Sequence, residues 1–206
     1  MKIYTMQVGP IMTNCYLLCD EDAGVCALID PGDNADRLED MIAASGCALQ
    51  YILLTHGHFD HCTAVRGILA NHPDVPVYIH RLDVVDPGVR HDLKFPRLDE
   101  RNQRYYDEGD TLTLGGLTIT VMATPGHSRG SVCLVVGDVI FSGDTLFRTS
   151  CGRTDFPDGS YEDMLHSLGR LGALEGNYRV YPGHDRPTEL DLERQFNPYL
   201  KQGMAR

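Results

Sequence analysis

The alternation of hydrophobic and polar residues along this chain predicts many short strands interrupted by a few helices. Period-two alternation and short apolar runs that end in Gly, Pro or Asp indicate strands, and these lie at 1–8, 14–19, 25–30, 51–55, 76–80, 111–114, 117–123, 131–136, 139–141 and 178–181. Apolar residues spaced by three and four indicate helices, at 35–45, 62–70, 161–174 and 188–196. The strand, helix, strand order favours a mixed α/β architecture, in which a second sheet mirrors the first half.

Two segments carry weaker patterns. The segment from Arg81 to Tyr106 is rich in charge and contains Pro87, Gly88 and Pro96, which predicts a short helix followed by a surface insertion. Residues 143–160 read as a polar loop, and the residues that follow the helix at 188–196 read as a short tail. Because no linker is long enough to separate two units, we expect residues 1–206 to form a single domain.

The chain is acidic, with 29 acidic and 18 basic residues and a formal net charge of -11. This excess repels phosphate backbones and anionic lipid surfaces, which excludes nucleic acid and membranes as expected partners. No window approaches the ~20 apolar residues of a membrane span, and the N-terminus lacks the apolar block of a signal peptide. We therefore expect a cytoplasmic protein that acts on a small molecule, and the sequence leaves its oligomeric state open.

The seven cysteines give no sign of a disulfide framework. Their number is odd, none forms a Cys-x-x-Cys pair, and most lie in apolar runs. This pattern is typical of reduced cysteines in a hydrophobic core.

The strongest chemical signal lies in the segment from Thr55 to His61, which follows an apolar run. It contains His56, His58, Asp60 and His61. Imidazole nitrogens and carboxylate oxygens are the ligands that Zn²⁺ and similar cations take in proteins. On an extended segment His56 and His58 project to the same side, and a turn into the following helix directs Asp60 and His61 toward a neighbouring point. The spacing therefore predicts a metal site.

Three further residues of metal-ligand type, His127, Asp144 and His184, each follow a predicted strand and a glycine. Functional sites collect at strand ends, and glycine lets the backbone approach a bound ion closely. Each residue alone is consistent with an ordinary polar turn. Three in the same setting, together with the histidine motif, indicate one common site.

Together these motifs resemble those of the metallo-β-lactamase superfamily, and more closely those of its small glyoxalase II-like hydrolases, over the chain from Asn14 to Pro198. The resemblance implies a four-layer αβ/βα sandwich, an α/β (α+β) fold in which helices flank two mixed sheets and the metals lie in a cleft between the sheet edges. The resemblance implies that a first metal is bound by His56, His58 and His127 and a second metal by Asp60, His61 and His184. It also implies that Asp144 bridges the two metals.

The activity implied by this resemblance is hydrolysis of a small thioester, of the hydroxyacylglutathione type, with two Zn²⁺, or with iron or manganese instead. Two adjacent cations lower the pKa of a shared water, so that a bridging hydroxide attacks the carbonyl at neutral pH. Asp60 and Asp144 are expected to fix the metal separation and to orient the hydroxide. β-Lactamases of this fold lack a bridging aspartate at this place, so Asp144 speaks against antibiotic hydrolysis.

Two residues outside the ligand set are candidates for supporting roles. Asp30, at a strand end, is expected either to accept a hydrogen bond from the ring N–H of a ligating histidine or to be a plain turn residue. Thr55 is a weaker candidate for such a supporting role. Arg153 matches a position where glyoxalase II proteins carry a basic residue that contacts glutathione. The alternative for Arg153 is a loop ion pair with Asp155 or Asp158. We expect a chain of this length to lack the helical C-terminal domain that supplies most glutathione contacts in longer glyoxalase II proteins, which leaves glutathione specificity open.

Other functions remain as alternatives. A mononuclear iron persulfide dioxygenase of the same superfamily would use residues matching His56, His127 and Asp144, and ligand types alone do not separate it from the hydrolase. The segment 181–200 is more similar to the small hydrolases. A nuclease is disfavoured by the charge, and a non-catalytic metal module would hold a closed, filled site. The other histidines and an aromatic pair have no ligand spacing and are expected at the surface, in helices or in packing, namely His72, His80, His91, His166 and Tyr105–Tyr106.

Overall fold

Two six-stranded mixed sheets form the centre of the computed structural model, which describes residues 1–86 and 92–206. The first sheet, ordered β1-β2-β3-β4-β5-β8, begins as an antiparallel hairpin arrangement and continues with parallel strands. The elements of the first half are β1 (Lys2–Val8), β2 (Thr13–Asp20), β3 (Val25–Ile29), α1 (Ala35–Ser45), β4 (Ala48–Leu53), α2 (Phe59–Cys62), α3 (Val65–Asn71), β5 (Val77–His80), a 3₁₀ turn (Arg81–Asp83), the paired β6 (Val84–Val85) and β7 (Phe95–Pro96), and β8 (Gln103–Tyr106).

The second sheet has the order β16-β15-β12-β11-β10-β9 and is antiparallel except for the β12–β15 pair. Its elements and their neighbours are β9 (Thr111–Leu114), β10 (Leu117–Ala123), β11 (Val132–Val136), β12 (Val139–Gly143), the small hairpin β13 (Leu146–Phe147) and β14 (Ser150–Cys151), α4 (Tyr161–Gly172), β15 (Arg179–Pro182), β16 (Thr188–Glu189), α5 (Leu190–Phe196) and α6 (Pro198–Met204).

Three apolar clusters hold the layers together. Between the sheets, Tyr16 and Leu53 of the first sheet pack with Val121 and Phe141 of the second. The outer face of the first sheet packs against α1 and α3, and the outer face of the second sheet packs against α4, α5 and α6. Because alternate residues of each strand point to opposite faces, the two central sheets are apolar on both sides. The layer order helix, sheet, sheet, helix confirms the predicted αβ/βα sandwich.

The predicted elements match the structure best where a local signal sets their bounds. The helix predicted at 35–45 is α1, and it ends at Gly46, which has φ +70°. Glycine adopts this left-handed conformation at low energetic cost, and a residue in this conformation commonly ends a helix. The helix predicted at 62–70 is instead two short helices, α2 and α3, and the predicted loop 143–160 contains the β13–β14 hairpin.

The prediction for the segment from Arg81 to Tyr106 was wrong at its C-terminal end. Its last residues form β8, which pairs in parallel with β5 at the edge of the first sheet. Tyr106 is buried there, and its hydroxyl donates a hydrogen bond to the carbonyl of Leu54, so the aromatic pair serves packing as expected. Pro87, Gly88 and His91, at 87–91, lie outside the described residues.

The predicted short tail was also wrong, because the residues after Asn197 form α6. The Asn197 side chain accepts hydrogen bonds from the backbone N–H groups of Tyr199 and Leu200, and Pro198 occupies the first turn. Both are favourable features of a helix start. The helix packs closely on α4, where a Cβ on Gly203 would lie 2.3 Å from the carbonyl oxygen of Leu165. No helix in the described ranges combines the length and apolar character needed to cross a bilayer.

Candidate metal centre

The predicted ligands lie where the strands of both sheets end. His56 follows β4, whereas His127, Asp144 and His184 follow β10, β12 and β15. The three strands of the second sheet run in the same direction, since β10 and β12 are both antiparallel to β11 and β15 is parallel to β12. Their carboxyl ends therefore meet at one edge of the sheet. Backbone hydrogen bonds join the two sheets here, from the N–H of Val132 to the carbonyl of Thr55 at 2.9 Å.

All seven predicted ligand residues come together at this edge. Within each of three groups the candidate ligand atoms lie within 4.8 Å of one another, and the groups are His56 with His58 and His127, His56 with His61 and Asp144, and Asp60 with His61 and His184. The short helix α2 redirects the chain between His58 and His61, since His58 is its extended N-terminal cap. The separation of the motif into two directions, predicted from the sequence, is thus present in the backbone.

The distances between nitrogen and oxygen atoms in this cluster fit a cation better than they fit hydrogen bonds. Nε2 of His61 lies 3.5 Å from Oδ2 of Asp60 and 3.4 Å from Oδ1 of Asp144. Nε2 of His184 lies 3.2 Å from Oδ2 of Asp60, and Nε2 of His127 lies 3.4 Å from Oδ2 of Asp144. Ligands at ~2.0–2.2 Å around a tetrahedral cation are separated by about 3.3–3.6 Å. The residues therefore fit bound metal ions.

Several buried polar atoms of the cluster have no hydrogen-bond partner among the described residues. Nε2 of His56, His58 and His61 and Oδ1 of Asp144 are buried and accept or donate no hydrogen bond within the part of the chain that the structure describes. Nδ1 of His58 lies 2.8 Å from Nε2 of His127, so a shared cation would satisfy the other three atoms, Nε2 of His56, Nε2 of His61 and Oδ1 of Asp144, each of which costs about 1–3 kcal/mol when left unpaired. A cation coordinated by such atoms removes that cost.

Burial and neighbouring charges set the protonation of the histidines. Burial, together with the adjacent His127, lowers the pKa of His58 to about 4, and burial lowers the pKa of His56 well below its ordinary value. Both rings are thus neutral at neutral pH, which is the form that binds metal. Burial also disfavours charge on His61, but the Asp144 and Asp30 carboxylates outweigh it and raise its pKa. In the absence of metal, a proton on His61 takes the place of a cation beside these carboxylates.

Asp30 orients one ligand and anchors the loop that carries the others. Its Oδ2 lies 2.9 Å from Nδ1 of His61, and it accepts hydrogen bonds from both the backbone N–H and the hydroxyl of Thr55 at 2.8 and 2.7 Å. The Thr55 hydroxyl in turn lies 3.1 Å from Nδ1 of His56. Asp30 has φ +52°, an uncommon conformation for a non-glycine residue. These contacts match the supporting roles predicted for Asp30 and Thr55 rather than a plain turn.

Asp83 was not among the predicted site residues. It is fully buried, and its carboxylate accepts hydrogen bonds from the N–H of Gly57 at 2.9 Å, the N–H of Gly130 at 2.9 Å and the hydroxyl of Ser128 at 2.6 Å. These groups adjoin His56, His58 and His127 in the chain. Asp83 therefore joins the two loops that carry the first group of ligands. Nothing in its local sequence, Arg-Leu-Asp-Val, marks it as special.

A cleft of about 480 Å³ opens onto these ligands. Its walls are mainly apolar beyond the histidines and carboxylates, and they include Ile11, Phe59, Leu93, Phe147 and Phe156. Ile11 and Phe59 are 49% and 45% exposed, so they form the open side of the cleft. A volume of this size suits a small molecule.

Arg153 lines the same cleft but is engaged with a neighbour. Its Nε and Nη2 donate hydrogen bonds to the two carboxylate oxygens of Asp155 at 2.6 and 2.7 Å, and its guanidinium lies over the ring of Phe156. The loop ion pair predicted as an alternative is therefore present with Asp155. Asp158 instead lies 2.9 Å from Nζ of Lys94.

The remaining histidines lie outside the centre. His166 is exposed, and His72 is half-buried and lies 3.0 Å from Glu39. The expectation of a surface position was wrong for His80, which is buried and accepts a hydrogen bond from the N–H of Leu82. The seven cysteines are free thiols, as predicted, and six of them are buried.

Comparison with known proteins agrees with this geometry. The family described as the metallo-beta-lactamase superfamily matches residues 8–184. Probable metallo-hydrolase YqgX of Bacillus subtilis is 34% identical over 209 residues, covering 97% of this chain and 98% of the relative. Hydroxyacylglutathione hydrolase GloC of Haemophilus influenzae is 31% identical over 217 residues, covering 97% and 98%.

Solved structures give the same result. The B3 metallo-beta-lactamase BLEG-1 superposes with a TM-score of 0.84 at 32% identity, covering 97% of this chain and 99% of the other. TTHA1623, crystallised in a di-iron-bound form, gives 0.78 at 34% identity and 95% and 99% coverage. ETHE1 from Myxococcus xanthus gives 0.79 at 30% identity and 96% and 84% coverage. The predicted family is confirmed, and the chain belongs to the metallo-beta-lactamase superfamily.

Proposed function

We propose that this protein is a dinuclear metal-dependent hydrolase of a small thioester, of the hydroxyacylglutathione type. The observation that carries the proposal is the presence of two ligand groups with Asp144 between them. Its Oδ2 lies 3.4 Å from Nε2 of His127 and its Oδ1 lies 3.4 Å from Nε2 of His61. His56, His58 and His127 would hold one cation, and Asp60, His61 and His184 would hold the other, with Zn²⁺ or iron as the resident metal.

Bound in this way, the two cations supply a hydroxide at neutral pH and polarise the carbonyl that it attacks. Asp60 and Asp144 would supply the negative charge that allows two cations to bind side by side. The Thr13 hydroxyl donates a hydrogen bond to Oδ2 of Asp60 at 2.9 Å, which fixes the orientation of that carboxylate. The apolar cleft wall, which includes Ile11 and Phe59, would contact the acyl group of the substrate.

The nearby thiols are unsuited to act as nucleophiles. Burial raises the pKa of Cys62, whose thiol donates to the carbonyl of His58, and it raises the pKa of Cys151 to about 11. A thiol of such high pKa is protonated at neutral pH, and the thiolate is the reactive form. A direct attack by hydroxide therefore fits the chain better than a covalent acyl-enzyme.

A mononuclear iron persulfide dioxygenase is the second candidate. His56, His127 and Asp144 alone offer two imidazoles and one carboxylate, the ligand set of many non-haem iron oxygenases. The similarity to a protein crystallised with two iron ions supports iron as a possible resident metal. The hydrolase is preferred because the dioxygenase leaves Asp60, His61 and His184 without a role.

The test combines metal analysis with three activity assays on protein purified without added metal. We expect about two metal ions per chain and release of thiol from S-lactoylglutathione or a related thioester. Oxygen uptake on glutathione persulfide with one iron per chain would replace the hydrolase by the dioxygenase. Hydrolysis of the chromogenic β-lactam nitrocefin is measured beside them, because BLEG-1 is named a β-lactamase.

Two variants connect the activity to the site. His58→Ala is expected to abolish thioester hydrolysis and to lower the metal content, while circular dichroism shows an intact fold. The matched control is His166→Ala, which removes an exposed imidazole from α4 and should leave both unchanged. Full activity of the His58 variant would refute the assignment.

A further inference from the structure

A second cavity, of about 370 Å³, opens beside the metal cleft and is lined by Arg148, Thr149, Asp185 and Arg186. Two cleft residues directly precede this lining in the chain, since Phe147 comes before Arg148 and His184 comes before Asp185. The rings of Phe147 and His184 contact each other edge-to-face, with centroids 6.1 Å apart. The lining of the second cavity is therefore continuous in the chain with the wall of the metal cleft at two places.

The two arginines in this cavity have unused guanidinium groups. Neither Arg148 nor Arg186 forms an ion pair or a side-chain hydrogen bond with any residue in the described ranges, and both are exposed. Asp185 is the one carboxylate in the lining, so the cavity carries two cations against one anion. This local excess of positive charge stands out in a chain whose formal net charge is -11. By contrast, Arg153 in the metal cleft is neutralised by Asp155.

The backbone on both sides of the cavity is held in place. Thr149 has φ +55°, which is strained for a β-branched residue, and its N–H donates to buried Glu193 at 2.7 Å. Asn197 donates to the carbonyls of Phe147 and Ser150 at 3.2 and 2.9 Å, so the hairpin turn is anchored at both ends.

On the other side of the cavity, Asp185 has φ +66°, and its carbonyl accepts a hydrogen bond from Asn14 at 2.9 Å. Strained residues that are fixed by their surroundings are concentrated at binding sites. The second cavity is therefore built on fixed backbone, although its charged side chains are exposed.

We propose that Arg148 and Arg186 form a subsite that binds an anionic group, a carboxylate or a phosphate, on the thiol portion of the substrate. The planar guanidinium donates two parallel hydrogen bonds to either group. This inference rests on the proposed thioester hydrolase and deepens it, because it assigns two residues of this chain to the charged thiol portion of the substrate. The acyl group remains on the apolar side of the metal cleft, near Ile11 and Phe59.

Binding of non-hydrolysable thioethers to the metal-loaded protein tests the subsite directly. The probes are S-methylglutathione, which carries carboxylates, S-methyl-coenzyme A, which carries phosphates, and the neutral S-methyl-N-acetylcysteamine. Dissociation constants are measured by calorimetry for the wild type, Arg148→Gln, Arg186→Gln and the double variant. Arg37→Gln is the matched control, because Arg37 is an exposed arginine on α1, in the outer helical layer of the other sheet.

We expect one of the anionic probes to bind the wild type at least tenfold more tightly than the neutral probe, and the preferred probe identifies carboxylate or phosphate as the partner. Each arginine substitution should weaken that probe about fivefold to tenfold and leave the neutral probe unchanged. Added salt should weaken the anionic probe in the wild type more than in the double variant. The inference is overturned if no anionic probe binds more tightly than the neutral one, or if the arginine variants bind like Arg37→Gln.

Hydrolysis is assayed separately, so that the two proposals fail in different ways. A wild type that binds an anionic probe through the arginines but hydrolyses no thioester would sink the hydrolase and retain the anion subsite. A thioester hydrolase whose binding is unaffected by both arginine substitutions would retain the function and sink the subsite. Thermal unfolding of each variant confirms that these exposed substitutions leave the fold intact.

Discussion

Asp83 offers the sharpest test of how this fold holds its ligands. Its carboxylate lies between the loop of His56 and His58 and the loop of His127, and it accepts hydrogen bonds from the N–H groups of Gly57 and Gly130. Replacing it with alanine leaves both buried donors without an acceptor. Replacing it with asparagine keeps the volume and one accepting oxygen, but it turns an N–H₂ group toward one of these donors.

The size of each effect follows from the contacts. Each hydrogen bond to a buried charge contributes about 1.5–3 kcal/mol, but burial of the carboxylate itself opposes this and raises the pKa of Asp83. Each buried N–H left without an acceptor costs about 1–3 kcal/mol, and Asp83→Ala leaves two of them. We therefore expect Asp83→Ala to lower the free energy of unfolding by about 2–6 kcal/mol. Asp83→Asn should lower it by about 2 kcal/mol, since one of the two N–H donors keeps its acceptor and the other faces an N–H₂ group instead.

Two measurements separate stability from ligand positioning. Urea unfolding of the chelator-treated protein gives the change in stability, and competition with a chromophoric chelator gives the metal affinity of the folded variants. Residues that orient metal ligands typically change affinity by 10–100-fold, so Asp83→Asn should lose at least about tenfold. Asp86→Asn is the control, because its carboxylate is 77% exposed in an ion pair with Arg97. Stability and affinity of the Asp83 variants equal to those of this control would refute the reasoning.

Three further outcomes are expected. Gly183→Ala should abolish binding of one metal ion in a metal titration, because the new Cβ would lie 2.3 Å from Oδ1 of Asp144 and 2.6 Å from Cε1 of His61. Gly116→Ala is the control and should bind metal normally, because the nearest atom to its Cβ would lie 3.4 Å away. In urea unfolding, the metal-free protein should lose stability as the pH rises above ~6.5. The pKa of His61 is raised in the folded state, so its ring stabilises the fold only while it is protonated. Bound Zn²⁺ should remove this loss of stability. Gly203→Val should lower stability by about 1–3 kcal/mol in thermal unfolding, by forcing α6 away from α4, and an unchanged midpoint would contradict that packing.

The sequence predicts the elements whose stability comes from their own residues. Helix α1 carries its apolar face and its terminating Gly46 within a dozen residues, so its bounds are readable. Strand β8 is different, because its four residues, Gln-Arg-Tyr-Tyr, become a strand only by pairing with β5, more than twenty positions away. Strand preference depends on such partners more than on the local sequence. The start of helix α6 does have a sequence signal, Asn197-Pro198. The helix was nevertheless not predicted, because it is only seven residues long and contains Gly203, a poor helix former.

The same distinction applies to the metal centre. The seven candidate ligand residues could be predicted because histidines and aspartates beside glycines at strand ends indicate metal binding even without the fold. The roles of Asp83 and Thr13 could not be predicted from the sequence, because each residue acts only through a tertiary contact. Thr13 meets Asp60 from 47 positions away, and Asp83 meets Gly130 from 47 positions away. Residues that support ligands are ordinary in type, and only the fold gives them a role.

The charges around the cleft imply a direction for the substrate. The candidate metal ligands lie at one end, where Asp60 and Asp144 would hold the cations that polarise the carbonyl of the proposed thioester. Arg148, which follows Phe147 in the chain, has no ion-pair partner among the described residues, and the cleft wall at Ile11 and Phe59 is apolar. A thioester with a charged thiol portion satisfies all three regions in one orientation only, because reversing it would place an anion against apolar side chains at a desolvation cost. In the proposed hydrolase the leaving group would therefore set the orientation, and the acyl group would be selected mainly by its size and apolar surface.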